Sequence, residues 1–221
     1  MIWARNVERS ISAVETLRTH GVRAEAIACD IGSEDDVRRA VADTVKKMGR
    51  IDILMANAGI ADEKPYLETS LDDWHRVIRT NLDGTFLTTR EVGRYLVERG
   101  EGGAMVIVSS TITRYGGGAG QAAYAASKSG TSAIGRTLAV EFARNKIRCN
   151  ILIPGWVATP PMNEHLRENQ RLVEATTKRT PVRRWATPPD EFHSVAAFLA
   201  DPTLTFHTGN EVVVDGGYTI F

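Results

Sequence analysis

Several features that mark other protein classes are scarce or absent in this chain of 221 residues. Lys and Arg together number 27, as do Asp and Glu, so the chain lacks the basic excess of a nucleic-acid-binding protein. The longest apolar runs, such as residues 105–108, have the length of a strand and are too short to cross a bilayer. The first residues show no apolar signal core followed by a cleavage site. We therefore expect a cytoplasmic protein with no nucleic-acid or membrane partner.

Cysteine is also rare, and its placement argues against a metal site. Cys29 and Cys149 are far apart and have no metal-ligand spacing, so buried free thiols are expected. The fractions of hydrophobic residues (43%) and charged residues (24%) are ordinary for a globular protein. The length predicts a single domain over residues 1–221.

Strand-like and helix-like segments alternate along the chain. The predicted strands cover residues 2–4, 22–29, 50–55, 104–108, 146–153 and 211–214. Helical periodicity is present over residues 7–19, from Ser33 onward, and over residues 71–99, 122–145 and 189–200. This alternation predicts an α/β fold, a doubly wound parallel sheet with helices on both faces. Residues 158–185 are expected to form a flap over a substrate site.

Polar, glycine and proline residues gather where the predicted strands end. These positions are Asp30, residues 57–59, Ser109, Ser110 and residues 154–155. Ligands of open parallel sheets bind beyond the carboxyl ends of the strands. The sequence therefore predicts a ligand site along this rim of the sheet.

Tyr124 and Lys128 are one helical turn apart and project from the same face of their predicted helix. A free phenol has a pKa of about 10, which makes it a poor proton donor and acceptor at neutral pH. We expect the ammonium of Lys128 to lower the pKa of Tyr124. A tyrosine with a lowered pKa can exchange a proton with a hydroxyl or carbonyl oxygen.

In their order along the chain, these motifs resemble those of the short-chain dehydrogenase/reductase family. The matching motifs are Asp30, Asn57-Ala58-Gly59, Asn81, Ser110, Tyr124-x-x-x-Lys128, Pro154-Gly155 with Thr159, and Val214-Asp215-Gly216-Gly217. The resemblance covers practically the whole chain and implies a Rossmann-like fold. It also implies an NAD(P)-dependent oxidoreductase that interconverts a secondary alcohol and a ketone by hydride transfer.

The resemblance assigns roles to four side chains. Tyr124 is expected to be the general acid/base, and Lys128 to lower its pKa and bind the nicotinamide ribose. Ser110 is expected to hold the substrate oxygen, and Asn81 to anchor a water linked to Lys128. The family's usual serine-to-tyrosine spacing falls on Thr111, which is therefore the alternative to Ser110.

Further residues are expected to contact the cofactor. By resemblance these are Asp30, Ile31, Asn57, Ala58, Gly59, Tyr124, Lys128, Pro154, Gly155, Val157 and Thr159. In the family, an acidic residue at the end of the second strand would favour NAD. Residues 2–4 correspond to that strand, and the chain has Ala4-Arg5-Asn6 at its end. Because Arg5 can pair with a phosphate, we expect NADP in preference to NAD.

The largest departure from the family pattern is at the N-terminus. The family begins with a strand and a glycine-rich turn, and we expect this N-terminal βα unit to be missing from the chain. Residues 116–120 are also rich in glycine, but they are not a displaced copy of that turn. A truncated, catalytically weak or silent member that acts as an oligomeric binding protein is therefore the alternative. In either case a homo-oligomer, tetramer or dimer, is expected through the helices that contain Asn81 and Tyr124. Tyr115, Trp156 and Met162 are expected to line a pocket for a small alcohol or ketone.

Overall fold

The computed structural model describes residues 1–61, 64–117, 120–159 and 169–221. Its strands are Ile2–Ala4 (β1), Ala26–Ala28 (β2), Ile53–Ala56 (β3), Gly103–Val108 (β4), Ile147–Pro154 (β5) and Glu211–Val214 (β6). Its helices are Ile11–Thr19 (α1), Glu34–Met48 (α2), Leu71–Ile78 (α3), Gly84–Arg99 (α4), Ala122–Glu141 (α5), Gln170–Arg179 (α6) and Asp190–Ala200 (α7). All strand pairs are parallel, so the predicted Rossmann-like α/β order is confirmed.

The described strands form two separate hydrogen-bonded sheets. One contains β1 and β2, and the other has the order β3-β4-β5-β6. A cleft of about 590 Å³ lies between the two sheets, lined by Ile2 and Trp3 of β1 and by Leu54 and Met55 of β3. Among the described residues, β1 and β3 thus each have one strand neighbour and one open edge.

The hydrophobic core lies around the central strands of the larger sheet. All residues of β5 from Ile147 to Ile153 are buried, as expected for a parallel strand covered on both faces. Met105 and Ile107 of β4 pack with Val92 and Leu96 of α4 in one apolar cluster. This packing fixes the carboxyl end of β4, where Ser109 and Ser110 follow.

Helix α2 shows how local sequence sets the ends of an element. The Ser33 side chain accepts a hydrogen bond from the backbone N–H of Asp36 at 3.4 Å, as an N-cap residue does. Acidic residues occupy the first turn, where the positive end of the helix dipole favours them. Gly49, at φ +92°, ends the helix in a conformation that other residues rarely adopt.

Several element boundaries differ from the predictions. Strand β2 covers only Ala26–Ala28, because its partner β1 pairs with just these three residues. The helix predicted over residues 71–99 contains a π-helical segment, Arg79–Asp83, between α3 and α4. Of the predicted flap, residues 160–168 lie outside the described residues, and the remainder includes α6. None of the helices in the described ranges is long and apolar enough to cross a membrane.

The N-terminal region has a βα unit of its own, β1 followed by α1. This unit agrees with the strand predicted over residues 2–4 and with the helix predicted over residues 7–19. The absence of a different strand with a glycine-rich turn is not confirmed and stays a prediction.

Candidate active site

Helix α5 is fixed to the end of β4 by a chain of buried hydroxyl groups. Ser109 follows β4, and its hydroxyl donates to the backbone carbonyl of Lys128 at 3.0 Å. Ser132, one turn further along α5, donates to the Ser109 hydroxyl at 2.8 Å. Because these groups are buried away from water, their hydrogen bonds hold the helix in one position. Tyr124 and Lys128 are both on this fixed helix.

The Tyr124 side chain meets Ser110 at the strand end. The Ser110 hydroxyl acts on the phenol of Tyr124 and favours its ionised form. Ser110 also caps the 3₁₀ segment Thr111–Arg114, accepting a hydrogen bond from the backbone N–H of Ile112 at 3.3 Å. Thr111, the alternative to Ser110, is buried and interacts with the phenol of Tyr115 instead. Of the two candidate hydroxyls, Ser110 is thus the one paired with Tyr124.

Lys128 extends from α5 into a buried position beneath the same strand end. Its ammonium donates to the carbonyl of Val108 at 2.7 Å and lies 5.8 Å from the centre of the Tyr124 ring. Burial disfavours the charged form and lowers the pKa of Lys128 to about 8.

The expected lowering of the Tyr124 pKa by Lys128 is wrong in this structure. Burial raises the pKa of Tyr124, and the opposing effect comes from its hydrogen bond with Ser110. The reason is geometric, because the ammonium donates to the Val108 carbonyl rather than to the phenol.

Asn81 connects α5 to the segment that follows β3. Its amide oxygen accepts from the backbone N–H of Ile60 at 2.8 Å, and its amide nitrogen donates to the Ile60 carbonyl at 2.8 Å. The same nitrogen donates to the Ser127 hydroxyl at 3.0 Å, and Ser127 donates to the Tyr124 carbonyl at 2.7 Å. The π-helical segment that carries Asn81 is a local irregularity of the kind often found at functional sites.

The segment Asn57-Ala58-Gly59 is exposed at the end of β3 and runs past Lys128. A Cβ atom added to Gly59 would lie 3.2 Å from the Asn81 amide oxygen and 3.5 Å from the Lys128 ammonium. The glycine therefore allows the chain to pass close to both groups. Asn57 and Ala58 border the cleft between the two sheets.

Arg5 and Asp30 lie together at the ends of β1 and β2. Both border an open cleft of about 480 Å³. The Asp30 carboxylate accepts from Arg79 at 3.3 Å and from the backbone N–H of Gly32 at 3.0 Å. Ile31 is partly buried and packs against the small core beneath β2.

The segment after β5 returns toward the sheet edge. The Gly155 N–H donates to the carbonyl of Val214 at 2.9 Å, and Val157 forms an isolated parallel bridge with Ala186. The Thr159 N–H donates to the Val157 carbonyl at 2.9 Å. Pro154, the last residue of β5, pairs with Val214 in the parallel register.

An aromatic cluster borders the Ser110 side of the site. Tyr115 and Trp156 both pack on Tyr218, with ring centres 5.3 and 6.3 Å away. The Arg179 guanidinium lies 4.5 Å from the Tyr218 ring centre and 5.4 Å from that of Tyr115. Met162, the third expected pocket residue, lies outside the described residues.

Sequence reasoning missed Ser127, Tyr218 and Arg179. Ser127 could have been found from its place beside Lys128, because a serine hydroxyl can bond a carbonyl one turn back in its helix. No sequence signal links Tyr218 and Arg179 to residues around Tyr115, because only the fold brings these positions together.

Comparisons with known proteins identify the family of this chain. A family model described as enoyl-(acyl carrier protein) reductase, of the short-chain alcohol dehydrogenase type, matches residues 1–219. The chain belongs to the short-chain dehydrogenase/reductase family. Membership of this family accounts for the α/β fold and makes the chain an oxidoreductase.

Individual members of the short-chain dehydrogenase/reductase family match over nearly the whole chain. The 3-oxoacyl-(acyl-carrier-protein) reductase of Chlamydia pneumoniae is 36% identical over 218 residues, which cover 99% of this chain and 86% of that protein. The gluconate 5-dehydrogenase of Gluconobacter oxydans is 33% identical over 218 residues, covering 98% and 83%. A crystal structure of a Burkholderia cenocepacia gluconate 5-dehydrogenase with NADP and tartrate has a TM-score of 0.90 at 32% identity, covering 100% and 85%. These comparisons give no support to a silent binding protein.

Proposed function

We propose that this protein is an NAD(P)-dependent oxidoreductase that interconverts a secondary alcohol and a ketone. The observation that carries the proposal is the interaction of the Tyr124 phenol with the Ser110 hydroxyl, with the Lys128 ammonium 5.8 Å from the centre of the Tyr124 ring. In ketone reduction, the bound nicotinamide supplies the hydride. Tyr124 gives its phenolic proton to the carbonyl oxygen, and Ser110 donates a hydrogen bond to that oxygen as its negative charge develops.

Lys128 and Asn81 support the proton transfer. The Lys128 ammonium is held beside the phenol by its hydrogen bond to the Val108 carbonyl, 5.8 Å from the centre of the Tyr124 ring. Asn81 is held by Ile60 and Ser127, so we assign it to fixing the chain beside Lys128 and anchoring a water there. In alcohol oxidation the same groups act in reverse, and Tyr124 accepts the proton.

The cofactor fits the rim along which these groups lie. A Cβ atom at Gly59 would crowd the Asn81 amide oxygen at 3.2 Å, and Asn57 and Ala58 next to it are exposed. We propose that these three residues line the cofactor and that Lys128 binds the nicotinamide ribose. Pro154, Gly155, Val157 and Thr159 are proposed to lie along the carboxamide, and Asp30 and Ile31 against the adenine.

We propose a preference for NADP on the basis of charge. Arg5 is exposed at a cleft whose other charged lining residues include both signs, so the preference depends on Arg5 itself; they are Asp30, Asp72, Arg76, Arg79 and Asp83. The Asp30 carboxylate already accepts hydrogen bonds from Arg79 and Gly32, which leaves less of it to accept ribose hydroxyls. A guanidinium pairs well with a phosphate.

We also propose that no phosphate-binding turn of the family type lies within residues 1–221. The Gly-x-x-x-Gly-x-Gly pattern does not occur in the sequence. Among the described strands, β1 pairs only with β2. Residues 1–221 are proposed to form a single, cytoplasmic domain.

A homo-oligomer, tetramer or dimer, is proposed from exposed apolar side chains on the helices near the site. Phe86 and Val97 of α4 and Val140 of α5 are exposed by 47%, 36% and 78%. Burying such groups in an interface removes apolar area from water. Light scattering during size-exclusion chromatography should give a mass above that of one chain, and a monomer at micromolar concentration would contradict the proposal.

A redox screen tests the proposed activity. Secondary alcohols and ketones are incubated with NADPH, NADP, NADH or NAD, and absorbance of the reduced nicotinamide is followed. The wild-type protein should turn over at least one pair, and Tyr124→Phe should lose about 10²- to 10⁴-fold in kcat. Nucleotide binding by Tyr124→Phe should be unchanged, because the ring is kept. Equal turnover by the two proteins would refute Tyr124 as the acid/base.

A further inference from the structure

A cationic subsite lies beside the proposed catalytic groups. Arg179, the last residue of α6, has its guanidinium against two aromatic rings, those of Tyr115 and Tyr218. In the described part of the chain no carboxylate forms an ion pair with Arg179, although many arginines there do form such pairs.

Two acidic residues of the C-terminal segment have other partners. Glu211 pairs with Arg114 and Arg136. Asp215 accepts from the backbone N–H groups of Gly217 and Thr219, both at 2.9 Å, and from the Thr219 hydroxyl. The positive charge of Arg179 is therefore compensated by no described protein anion.

Contacts connect Arg179 to the reacting centre through neighbouring side chains. The Tyr115 phenol interacts with Thr111, which directly follows Ser110, and Ser110 acts on Tyr124. The guanidinium, 5.4 Å from the centre of the Tyr115 ring, thus lies on the Ser110 side of the site. Tyr115 has a pKa raised to about 12, mainly by burial, so its phenol stays a neutral neighbour.

A second polar group beside this cluster has no partner. The indole N–H of Trp156 is buried, and no described residue accepts from it. Trp156 packs on the same Tyr218 ring as Arg179. A buried N–H donor without an acceptor is unfavourable, and an anionic or carbonyl oxygen would satisfy it. The cluster therefore contains one cation and one buried donor that have no anionic or accepting partner among the described residues.

We propose that Arg179 is a specificity-determining residue that selects substrates bearing a carboxylate remote from the reacting carbonyl. This inference rests on the proposed function. The carbonyl end lies against Tyr124 and Ser110, and the carboxylate lies toward Arg179, with the carbon chain against the aromatic rings. A guanidinium binds a carboxylate through charge-assisted hydrogen bonds, and the rings accommodate apolar carbons.

A series of keto acids and their methyl esters tests the proposal. Acetoacetate, 4-oxopentanoate and 5-oxohexanoate differ in the distance between carbonyl and carboxylate, and each ester removes the charge alone. For the preferred acid, Arg179→Gln should lower kcat/KM about 10- to 100-fold, the value of a hydrogen bond to a charged group. Turnover of the matching ester should change less than about twofold, and Arg179→Lys should restore part of the lost activity.

Arg171→Gln is the matched control, because it removes an exposed arginine from the first turn of the same helix. It should leave both kinetic constants unchanged. Equal losses for acid and ester in Arg179→Gln, or no loss for any acid, would overturn the proposal. If the wild-type protein reduces no ketone, the proposed function fails instead. The subsite is then tested by calorimetric titration with 4-oxopentanoate, whose binding should require Arg179 and not Arg171, and equal binding by both variants overturns it.

Discussion

The four-stranded sheet and the two-stranded sheet of this molecule differ in how completely they are buried. In the larger sheet β5 is buried over seven consecutive residues, from Ile147 to Ile153. In the smaller sheet all three residues of β1 are only partly buried, and Ile27 alone is buried in β2. The hydroxyl groups that fix α5, and with it Tyr124, follow the larger sheet. We call β3–β6 with the helices that cover them the rigid half, and β1 and β2 the exposed half. The chemistry we propose therefore depends on the rigid half, and the preference between nucleotides depends on the exposed half.

The largest expected effect compares the same substitution in the two sheets. Ile107 in β4 is 0% exposed and Ile27 in β2 is 9% exposed. Ile107→Ala should lower the free energy of unfolding by about 4 kcal/mol, because a cavity in the packed core cannot relax. Ile27→Ala should cost about 2 kcal/mol, because the small sheet borders an open cleft. Urea unfolding measures both losses, and equal values would show that the two sheets are equally well packed.

A pH-dependent effect comes from the buried lysine of the rigid half. The pKa of Lys128 is about 8 in the folded protein and about 10.4 when the chain is unfolded. Between these values the unfolded chain binds more protons, so stability should rise with pH by about 1 kcal/mol per unit. Lys128→Met should lack this rise in urea unfolding between pH 8 and 9.5. The exposed Lys46→Met should keep it, and parallel curves for wild type and Lys128→Met would contradict the buried, low-pKa lysine.

A smaller effect is expected in the exposed half. Arg5→Ala should weaken NADPH binding about tenfold, because a charge-assisted contact with the extra phosphate is lost. NADH binding should change by less than about twofold. Nucleotide fluorescence titration measures both, and Arg9→Ala, another exposed arginine nearby, is the control. An identical loss for both nucleotides would remove Arg5 from the choice of cofactor.

The smallest effect concerns the two thiols, one in each half. Burial raises the pKa of Cys29 to about 11 and that of Cys149 to about 12. Thiolate is the reactive form, so iodoacetamide at pH 8 should label neither residue in the folded protein. Mass spectrometry after labelling with and without urea checks this expectation. Labelling of Cys29 alone without urea would show that the small sheet opens more often than the large one.

Sequence patterns predicted the order of elements well and their ends less well. The strand at Glu211–Val214 agrees with its predicted range, because apolar periodicity and turn residues define it locally. The length of β2 does not follow from its own residues, because it depends on pairing with a three-residue β1. The π-helical segment around Asn81 was also not predicted, because it depends on contacts with Ile60 and Ser127 from distant parts of the chain.

The sequence also predicted some features of the candidate site and not others. Tyr124, Lys128 and Ser110 lie together, as their places in the motifs suggested. The direction of the Tyr124 pKa was predicted wrongly, because spacing on a helix does not reveal what the Lys128 ammonium bonds. Tyr218 and Arg179 are more than fifty residues from Tyr115 in sequence, so their contacts appear only once the chain has folded.

The break between β1 and β3 has a consequence for how the protein opens. No hydrogen-bond ladder crosses it among the described strands, so β1 and β2 can separate from the molecule while β3–β6 stay paired. Local opening of this kind governs the exchange of backbone amide protons. Amides of Ala26–Ala28 should therefore exchange with deuterium well before those of β5. Binding of a nucleotide across both sheets should slow the first group far more than the second.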